Sequence, residues 1–215
     1  MLFDNNFPVE YNPSRVTLTS MATLFVPVDN TMRDIASSRT NQQGSLNGSI
    51  LDGQGTFAGM LGEIAAVMAI PRLVIANSYD YDLMLDGLTI DVKTVDRTSR
   101  PTKDYMASVA SWNTRQKTDF YLFVSTQRIM RQDENGNDNR DDKRPEDYTG
   151  VHIMGMMRKD DYFKAAKKFP AGTPDGKNNH VVEHTCYKAP YKIMMDFRDL
   201  SHMYSPEIGK IHRFD

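Results

Sequence analysis

The sequence contains one cysteine, Cys186, so it can form neither an internal disulfide nor a zinc site made of cysteines alone. No apolar run is long enough to span a membrane; the longest, 64–70, ends at Pro71. The first residues lack the basic start and apolar core of a signal peptide. These absences predict an intracellular, cytoplasmic protein with no membrane partner.

The sequence also has little net charge, because 26 Lys and Arg stand against 28 Asp and Glu. This balance gives no overall support to nucleic-acid binding, so such a function must be argued from local features. With 215 residues, 40% of them apolar and 25% charged, the composition excludes collagen-like and wholly disordered chains. A single globular domain spanning 1–215 is therefore expected.

The first third of the chain predicts two helices separated by a polar loop. Asn30 or Thr31 is suited to cap a short helix through 32–36. Residues 44–59 are mostly small and polar, which is typical of a loop. The helix predicted at 60–70 is apolar nearly all round, which indicates that it is buried.

A β-hairpin is predicted around the turn dipeptide Asp86-Gly87. Counting outward from the turn gives one face with only apolar pairs: Leu85–Leu88, Leu83–Ile90 and Tyr81–Val92. The other face is mostly polar: Met84–Thr89, Asp82–Asp91 and Asp80–Lys93. The apolar matching fixes this register as the expected one.

The remaining chain predicts further helices and strands in alternation. A helix is expected through about 105–116, followed by a buried strand at 120–124. The charge-dense segment 131–148 is expected to be a solvated connection to a strand at 151–154, and 160–169 is expected to be helical. With a strand beginning at 73–75, the order helix, three strands, helix, strand predicts an α/β fold with a mixed sheet.

The hairpin carries a candidate metal site. Asp82 and Asp91 face each other at roughly 5 Å between Cβ atoms, a repulsive pairing that a bridging cation would relieve. Oxygen ligands suit Mg²⁺ or Mn²⁺. Lys93 projects from the same face, where its ammonium would stabilise charge on a phosphate. The alternative is a solvated surface patch in which these residues form an exposed ion pair.

Glu63 is the only charged residue between 60 and 70. Burying it alone would be costly, and a metal ion is one natural partner. The alternative is an acid in the first turn that interacts favourably with the helix dipole.

A helix bearing Glu63, then Asp82, then Asp91-Val92-Lys93 resembles the PD-(D/E)XK nuclease superfamily over about 59–126. The resemblance implies a restriction endonuclease-like αβββαβ core with a mixed central sheet flanked by helices. It also implies that Glu63, Asp82 and Asp91 hold the metal, with the Val92 carbonyl as an extra ligand, and that Lys93 is catalytic. Tyr81 occupies the position of the proline in the family's name, and Asp80 is a rival for the role of Asp82.

The resemblance divides the single expected domain into three parts. Residues 1–58 are an N-terminal extension and loop, 59–126 are the catalytic core, and 127–215 supply the remaining sheet, a helix and a tail. Within the extension, the polar segment 39–54 is expected either to become ordered on a substrate or to serve as a flexible linker.

Basic residues follow the predicted catalytic strand. Between Lys93 and Lys117 there are six Lys and Arg and two Asp, a local charge of +4. The candidate DNA-binding residues are Arg97, Arg100, Lys103, Arg115, Gln116 and Lys117. The alternative for each is a position on a solvated loop.

The sequence therefore predicts a DNA endonuclease, dependent on Mg²⁺ or Mn²⁺, that hydrolyses phosphodiester bonds with a metal-activated water. A Holliday-junction-resolving or repair nuclease of the same superfamily is the nearest alternative, and a non-catalytic DNA-binding protein on the same fold is another. A homodimer would favour cutting both strands. A phage or another mobile element is one candidate source.

Overall fold

The computed structural model describes residues 9–10, 12–18, 23–43, 57–76, 78, 80–139, 141–175 and 180–195. In these ranges the protein is a mixed α/β fold with three α-helices: α1 (Asn30–Gln43), α2 (Phe57–Ala69) and α3 (Lys159–Ala165). None of the described helices is long and apolar enough to cross a membrane. Most of the predicted loop 44–59 lies outside the described residues.

A seven-stranded sheet organises the fold. In spatial order its strands are β1 (Thr17–Leu18), β2 (Leu24–Pro27), β10 (Tyr148–Arg158), β7 (Phe120–Arg128), β5 (Leu88–Arg97), β4 (Leu83–Leu85) and β3 (Val74–Ile75). Neighbouring strands are antiparallel except β5 and β7, which are parallel. The sheet is therefore mixed, as predicted, with the long strand β5 next to its parallel partner.

Three smaller sheets complete the described strands. The largest joins β11 (Lys167–Phe169), β14 (Cys186–Pro190) and β6 (Met106–Ala110) in that order. The two others are two-stranded: β8 (Arg131–Gln132) with β9 (Asp138–Asn139), and β12 (Pro174–Asp175) with β13 (His180–Val181). The β8–β9 pair lies in the charge-dense connection between β7 and β10.

Helices α1 and α2 cover one face of the large sheet. Leu61 and Ile64 of α2 are fully buried in the same apolar cluster as Leu122 and Val124 of β7. The uninterrupted apolar character of α2 thus reflects burial on all sides, and the predicted buried helix is confirmed.

A second apolar cluster covers the opposite face. Tyr121 and Phe123 alternate with the residues of the first cluster along β7 and pack with Val109 of β6, Tyr162 of α3 and Tyr191. Strand β7, buried on both faces, therefore has the continuous apolar sequence that predicted it.

The hairpin at Asp86-Gly87 is confirmed near its turn and differs further out. Leu85 pairs with Leu88 and Leu83 with Ile90, and both turn residues have positive φ. The regular ladder ends at Leu83. The cross-strand pairs expected beyond that point are therefore absent: Tyr81–Val92, Asp82–Asp91 and Asp80–Lys93.

The prediction of a helix through about 105–116 is wrong. Residues 106–110 are strand β6, which pairs with β14, and 111–115 form a 3₁₀ helix. The backbone partner of β6 lies far away in the sequence, and tertiary pairing outweighs the weak local helix preference of this segment.

Two helix boundaries also differ from the prediction. Helix α1 is capped by Asp29, whose Oδ1 accepts a hydrogen bond from the Met32 N–H, and it continues to Gln43 rather than ending near 36. Helix α3 ends at Ala165, and part of its predicted C-terminal half forms strand β11.

Candidate active site

The structure brings the three acids predicted to hold a metal to one site. Glu63 lies on α2, Asp82 directly precedes β4, and Asp91 lies on β5. Glu63 and Asp91 are buried, with exposed fractions of 7% and 4%. Burial raises the pKa of Glu63 well above its usual value, and the negative charges of Asp82 and Asp91 raise it further. The three carboxylates therefore repel one another in a poorly solvated site.

Asp82 approaches β5 through its side chain rather than through cross-strand pairing. Its Oδ2 accepts a hydrogen bond of 2.7 Å from the Val92 N–H, and its own N–H donates to the Ile90 carbonyl at 3.0 Å. These two bonds replace the regular ladder and explain why Asp82 is not opposite Asp91. Burial, followed by repulsion from Asp91, raises the pKa of Asp82 to about 7.

Asp91 and Lys93 lie on the same face of β5 and form an ion pair, with 2.5 Å between Oδ2 and Nζ. Gln116 bridges them, because its Nε2 donates to Asp91 Oδ1 at 2.8 Å while its Oε1 accepts from Lys93 Nζ at 3.2 Å. Gln116, predicted to contact DNA, is thus part of the acid–lysine cluster. Burial raises the pKa of Asp91, and the positive charge of Lys93 opposes that shift.

The aromatic ring of Tyr121 packs against the Lys93 ammonium. Lys93 Nζ lies 5.5 Å from the centroid of its ring, and the Tyr121 hydroxyl donates to the Asn113 carbonyl at 3.1 Å. Burial and the charge of Asp91 raise the pKa of this hydroxyl, which therefore stays protonated at neutral pH.

Two basic residues of the site were missed by the sequence analysis. Arg39 of α1 forms an ion pair with Glu63, with 3.1 Å between Nη2 and Oε2. Lys159 donates from Nζ to the Gln116 carbonyl, and its charge lowers the pKa of Asp91. The only sequence signal for Arg39 is a single basic residue in the otherwise uncharged stretch 37–43. Nothing local marks Lys159.

Two of the three acids could hold a Mg²⁺ or Mn²⁺ ion in this arrangement. Among the described residues, no three His, Cys, Asp or Glu side chains are arranged to hold one ion, and Arg39 occupies one oxygen of Glu63. Asp82 and Asp91 remain as two candidate oxygen donors, but both oxygens of Asp91 already have partners, since Oδ2 lies 2.5 Å from Lys93 Nζ and Oδ1 accepts from Gln116. Mg²⁺ is commonly held by one or two carboxylates, with substrate phosphates completing its shell. Asp82 and Asp91 could supply the two carboxylates of such a site.

Asp80, the rival of Asp82, makes different contacts. Its N–H donates to the Ser78 hydroxyl at 3.2 Å. The acids that act most strongly on Glu63 are Asp82 and Asp91. The geometry therefore favours Asp82 as the acid of the site.

The basic residues predicted to bind DNA divide into two groups. Arg97 lies 4.7 Å above the ring of Tyr105, and Lys103 Nζ donates to the Met154 carbonyl at 3.0 Å, so both are engaged within the fold. The side chains that remain exposed are Arg100, Arg115 and Lys117.

Comparisons with protein-family profiles, with characterised proteins and with solved structures found no match to this chain.

Proposed function

We propose that the chain is an endodeoxyribonuclease that depends on Mg²⁺ or Mn²⁺ and hydrolyses phosphodiester bonds at Glu63, Asp82, Asp91 and Lys93. The observation that supports this most directly is the buried Asp91–Lys93 pair beside two further carboxylates whose pKa values are raised. A purely structural ion pair needs no additional acids at its side. Perturbed acids gathered with a lysine are typical of functional sites.

The order of elements agrees with a restriction endonuclease-like core. Helix α2 is followed by the antiparallel strands β3, β4 and β5, and then by β7, which is parallel to β5. In this comparison strand β6 and the 3₁₀ helix 111–115 occupy the place of the crossover helix. The candidate acids then lie on the first helix, directly before the second strand and on the third strand of the core.

In this proposal Asp82 and Asp91 would hold the metal, with the Val92 carbonyl as a further oxygen donor and with the Glu63 oxygen that does not face Arg39 Nη2 as a third carboxylate ligand. A divalent cation held there would lower the pKa of a water so that hydroxide is available near neutral pH, and it would offset negative charge on the phosphate. Lys93 carries a fixed positive charge beside Asp91 and stabilises negative charge developing on the phosphate. Gln116 holds the Lys93 ammonium and the Asp91 carboxylate in a fixed relative orientation.

The exposed residues Arg100, Arg115 and Lys117 would contact the DNA backbone. Arg115 and Lys117 flank Gln116 in sequence, so a duplex bound across them would pass close to Asp91 and Lys93. Phosphate contacts of this kind position the substrate without selecting a sequence.

Nicking of supercoiled plasmid, measured with Mg²⁺, with Mn²⁺ and with EDTA, tests the proposal. We expect nicked and then linear plasmid with either cation and none with EDTA. Duplex binding without cleavage under all three conditions would instead support a non-catalytic DNA-binding protein. Faster cleavage of a four-way junction than of the matched linear duplex would favour a junction-resolving enzyme.

A further inference from the structure

Helix α1 delivers Arg39 to the carboxylates from outside the predicted core. The helix is anchored at its start, where the Arg33 guanidinium donates to the carbonyls of Val28, Pro145 and Tyr148. Arg39, almost two turns further on, is 8% exposed. Its position therefore follows from how α1 packs, and its charge also lowers the pKa values of Glu63 and Asp82.

One terminal nitrogen of the Arg39 guanidinium is paired with Glu63, and the other has no hydrogen-bond partner among the described residues. Nη2 lies 3.1 Å from Glu63 Oε2, whereas Nη1 is buried and has no hydrogen-bond partner within the described part of the chain. Leaving a buried donor unpaired costs about 1–3 kcal/mol, and more for a charged group. A residue whose sole task was to neutralise Glu63 would be expected to have its remaining donors paired.

The chemistry of the unused donor indicates the type of group that would pair with it. A guanidinium presents its N–H groups in a planar fork that matches the oxygens of carboxylates and phosphates. One side of the fork of Arg39 already holds a carboxylate, that of Glu63. Because Nη1 is buried, an incoming anionic oxygen would reach it only once the groups that cover it move aside, and it would then satisfy Nη1 without displacing Glu63 Oε2.

We propose that Arg39 is a phosphate-binding residue of the active site: Nη2 remains on Glu63 while Nη1 donates to a non-bridging oxygen of a DNA phosphodiester. This inference rests on the proposed nuclease function and adds a substrate contact from the N-terminal extension. It makes α1 part of the active site, so substrate binding requires a segment that precedes the αβββαβ-like core.

Two variants isolate this contact from the ion pair. The single substitution Arg39→Gln would leave the buried Glu63 carboxylate without its partner and is a poor test, because loss of folding would mimic loss of binding. Glu63→Gln and the double variant Glu63→Gln/Arg39→Gln differ only in Arg39. Glu63→Gln removes the counter-ion of the buried guanidinium but keeps a side-chain oxygen that can accept from it, so the folded state of this variant must be verified before binding is compared. Lys168→Gln, which removes an exposed positive charge on β11, is the matched control.

The measurement is the dissociation constant for a fluorescent DNA duplex in Ca²⁺, obtained by anisotropy at several NaCl concentrations. We expect the double variant to bind about tenfold more weakly than Glu63→Gln, with a salt dependence of log Kd smaller by about one. Lys168→Gln should match the wild type in both quantities. The change in salt dependence separates a phosphate contact from a purely structural defect.

Equal dissociation constants and salt slopes for Glu63→Gln and the double variant would overturn the inference and leave Arg39 as a counter-ion only. In that case a wild type that nicks plasmid keeps the proposed function intact. A wild type that neither binds duplex nor nicks plasmid overturns both proposals. Circular dichroism of every variant establishes that folded proteins are compared.

Discussion

The side-chain amide of Gln116 donates to Asp91 Oδ1 at 2.8 Å. The oxygen of the same amide accepts a hydrogen bond from Lys93 Nζ at 3.2 Å. One residue therefore fixes the relative orientation of the Asp91 carboxylate and the Lys93 ammonium. Gln116 therefore acts through two other side chains and is a positioning residue.

Replacing Gln116 by Leu should lower kcat about tenfold with little change in KM, since the transition state loses its aligned Asp91 and Lys93 while DNA contacts persist. Steady-state cleavage of a defined duplex measures both parameters. Lys117→Gln is the matched control, because the exposed Lys117 should affect KM and its salt dependence instead. A change in KM alone for Gln116→Leu would contradict the positioning role and indicate that Gln116 contacts DNA.

Gly62 should not tolerate a larger side chain, because a Cβ at this position would collide with Thr94 Oγ1. We expect Gly62→Ala to lower the free energy of unfolding by about 1–3 kcal/mol. Thr94 lies next to Lys93 on β5, so the strain would also reach the active site. Urea unfolding measures the change in stability.

The same clash can be relieved from the other side. Thr94 Oγ1 is buried and makes no hydrogen bond with the described residues, so Thr94→Ala removes the colliding atom at small cost. The double variant Gly62→Ala/Thr94→Ala should recover most of the lost stability. Additive losses in this double-mutant cycle would contradict the close approach of α2 to β5.

The buried His152 should make the protein sensitive to acid. Burial, with Arg100 nearby, lowers its pKa to about 4 from an ordinary value near 6.5. Between these values the unfolded chain binds a proton that the folded protein does not, so acidification favours unfolding. The stability contributed by neutral His152 is complete above pH 6.5 and is lost as the pH falls toward 4.

For this single group the loss at pH 5 is roughly 2 kcal/mol relative to pH 7. His152→Gln removes the titration, so its free energy of unfolding should fall less than that of the wild type between pH 7 and pH 5. Urea unfolding at the two pH values gives the comparison. Parallel losses in both proteins would mean that His152 is protonated as readily in the folded state as in the unfolded chain.

Divalent cations should stabilise the folded protein through Asp91. Binding to the folded state alone raises stability by about 2.7 kcal/mol at a concentration 100 times Kd. A thermal-shift titration with MnCl₂ should therefore raise the Tm of the wild type, and Asp91→Asn should abolish most of the rise. An equal rise in both proteins would place the cation elsewhere.

Several elements were predictable from the sequence because their signals are local. Helix α2 and strand β7 are apolar throughout, and the hairpin has a turn dipeptide flanked by matched apolar pairs. The expectation that Glu63, Asp82 and Asp91 share one site came from the resemblance to the PD-(D/E)XK superfamily. The helix, the strand and the hairpin were each recognised from the residues of one short segment.

The contacts that the sequence did not reveal depend on distant partners. Strand β6 was predicted as a helix because its partner β14 lies about 80 residues further along the chain. Asp82 leaves the hairpin ladder because its side chain accepts a hydrogen bond from the Val92 N–H. The alternation of apolar and polar residues does not predict such a bond between a side chain and the backbone. Arg39 reaches Glu63 only through the packing of α1 on α2.

We propose that phosphodiester hydrolysis depends on Asp91 and Lys93. The most direct test is the single-turnover rate of plasmid nicking in Mn²⁺, with enzyme in excess, for the wild type, Lys93→Gln, Asp91→Asn and the control Lys168→Gln. We expect both active-site variants to lose at least about 100-fold in rate while the control nicks like the wild type. Nicking by Lys93→Gln and Asp91→Asn at the wild-type rate would contradict it.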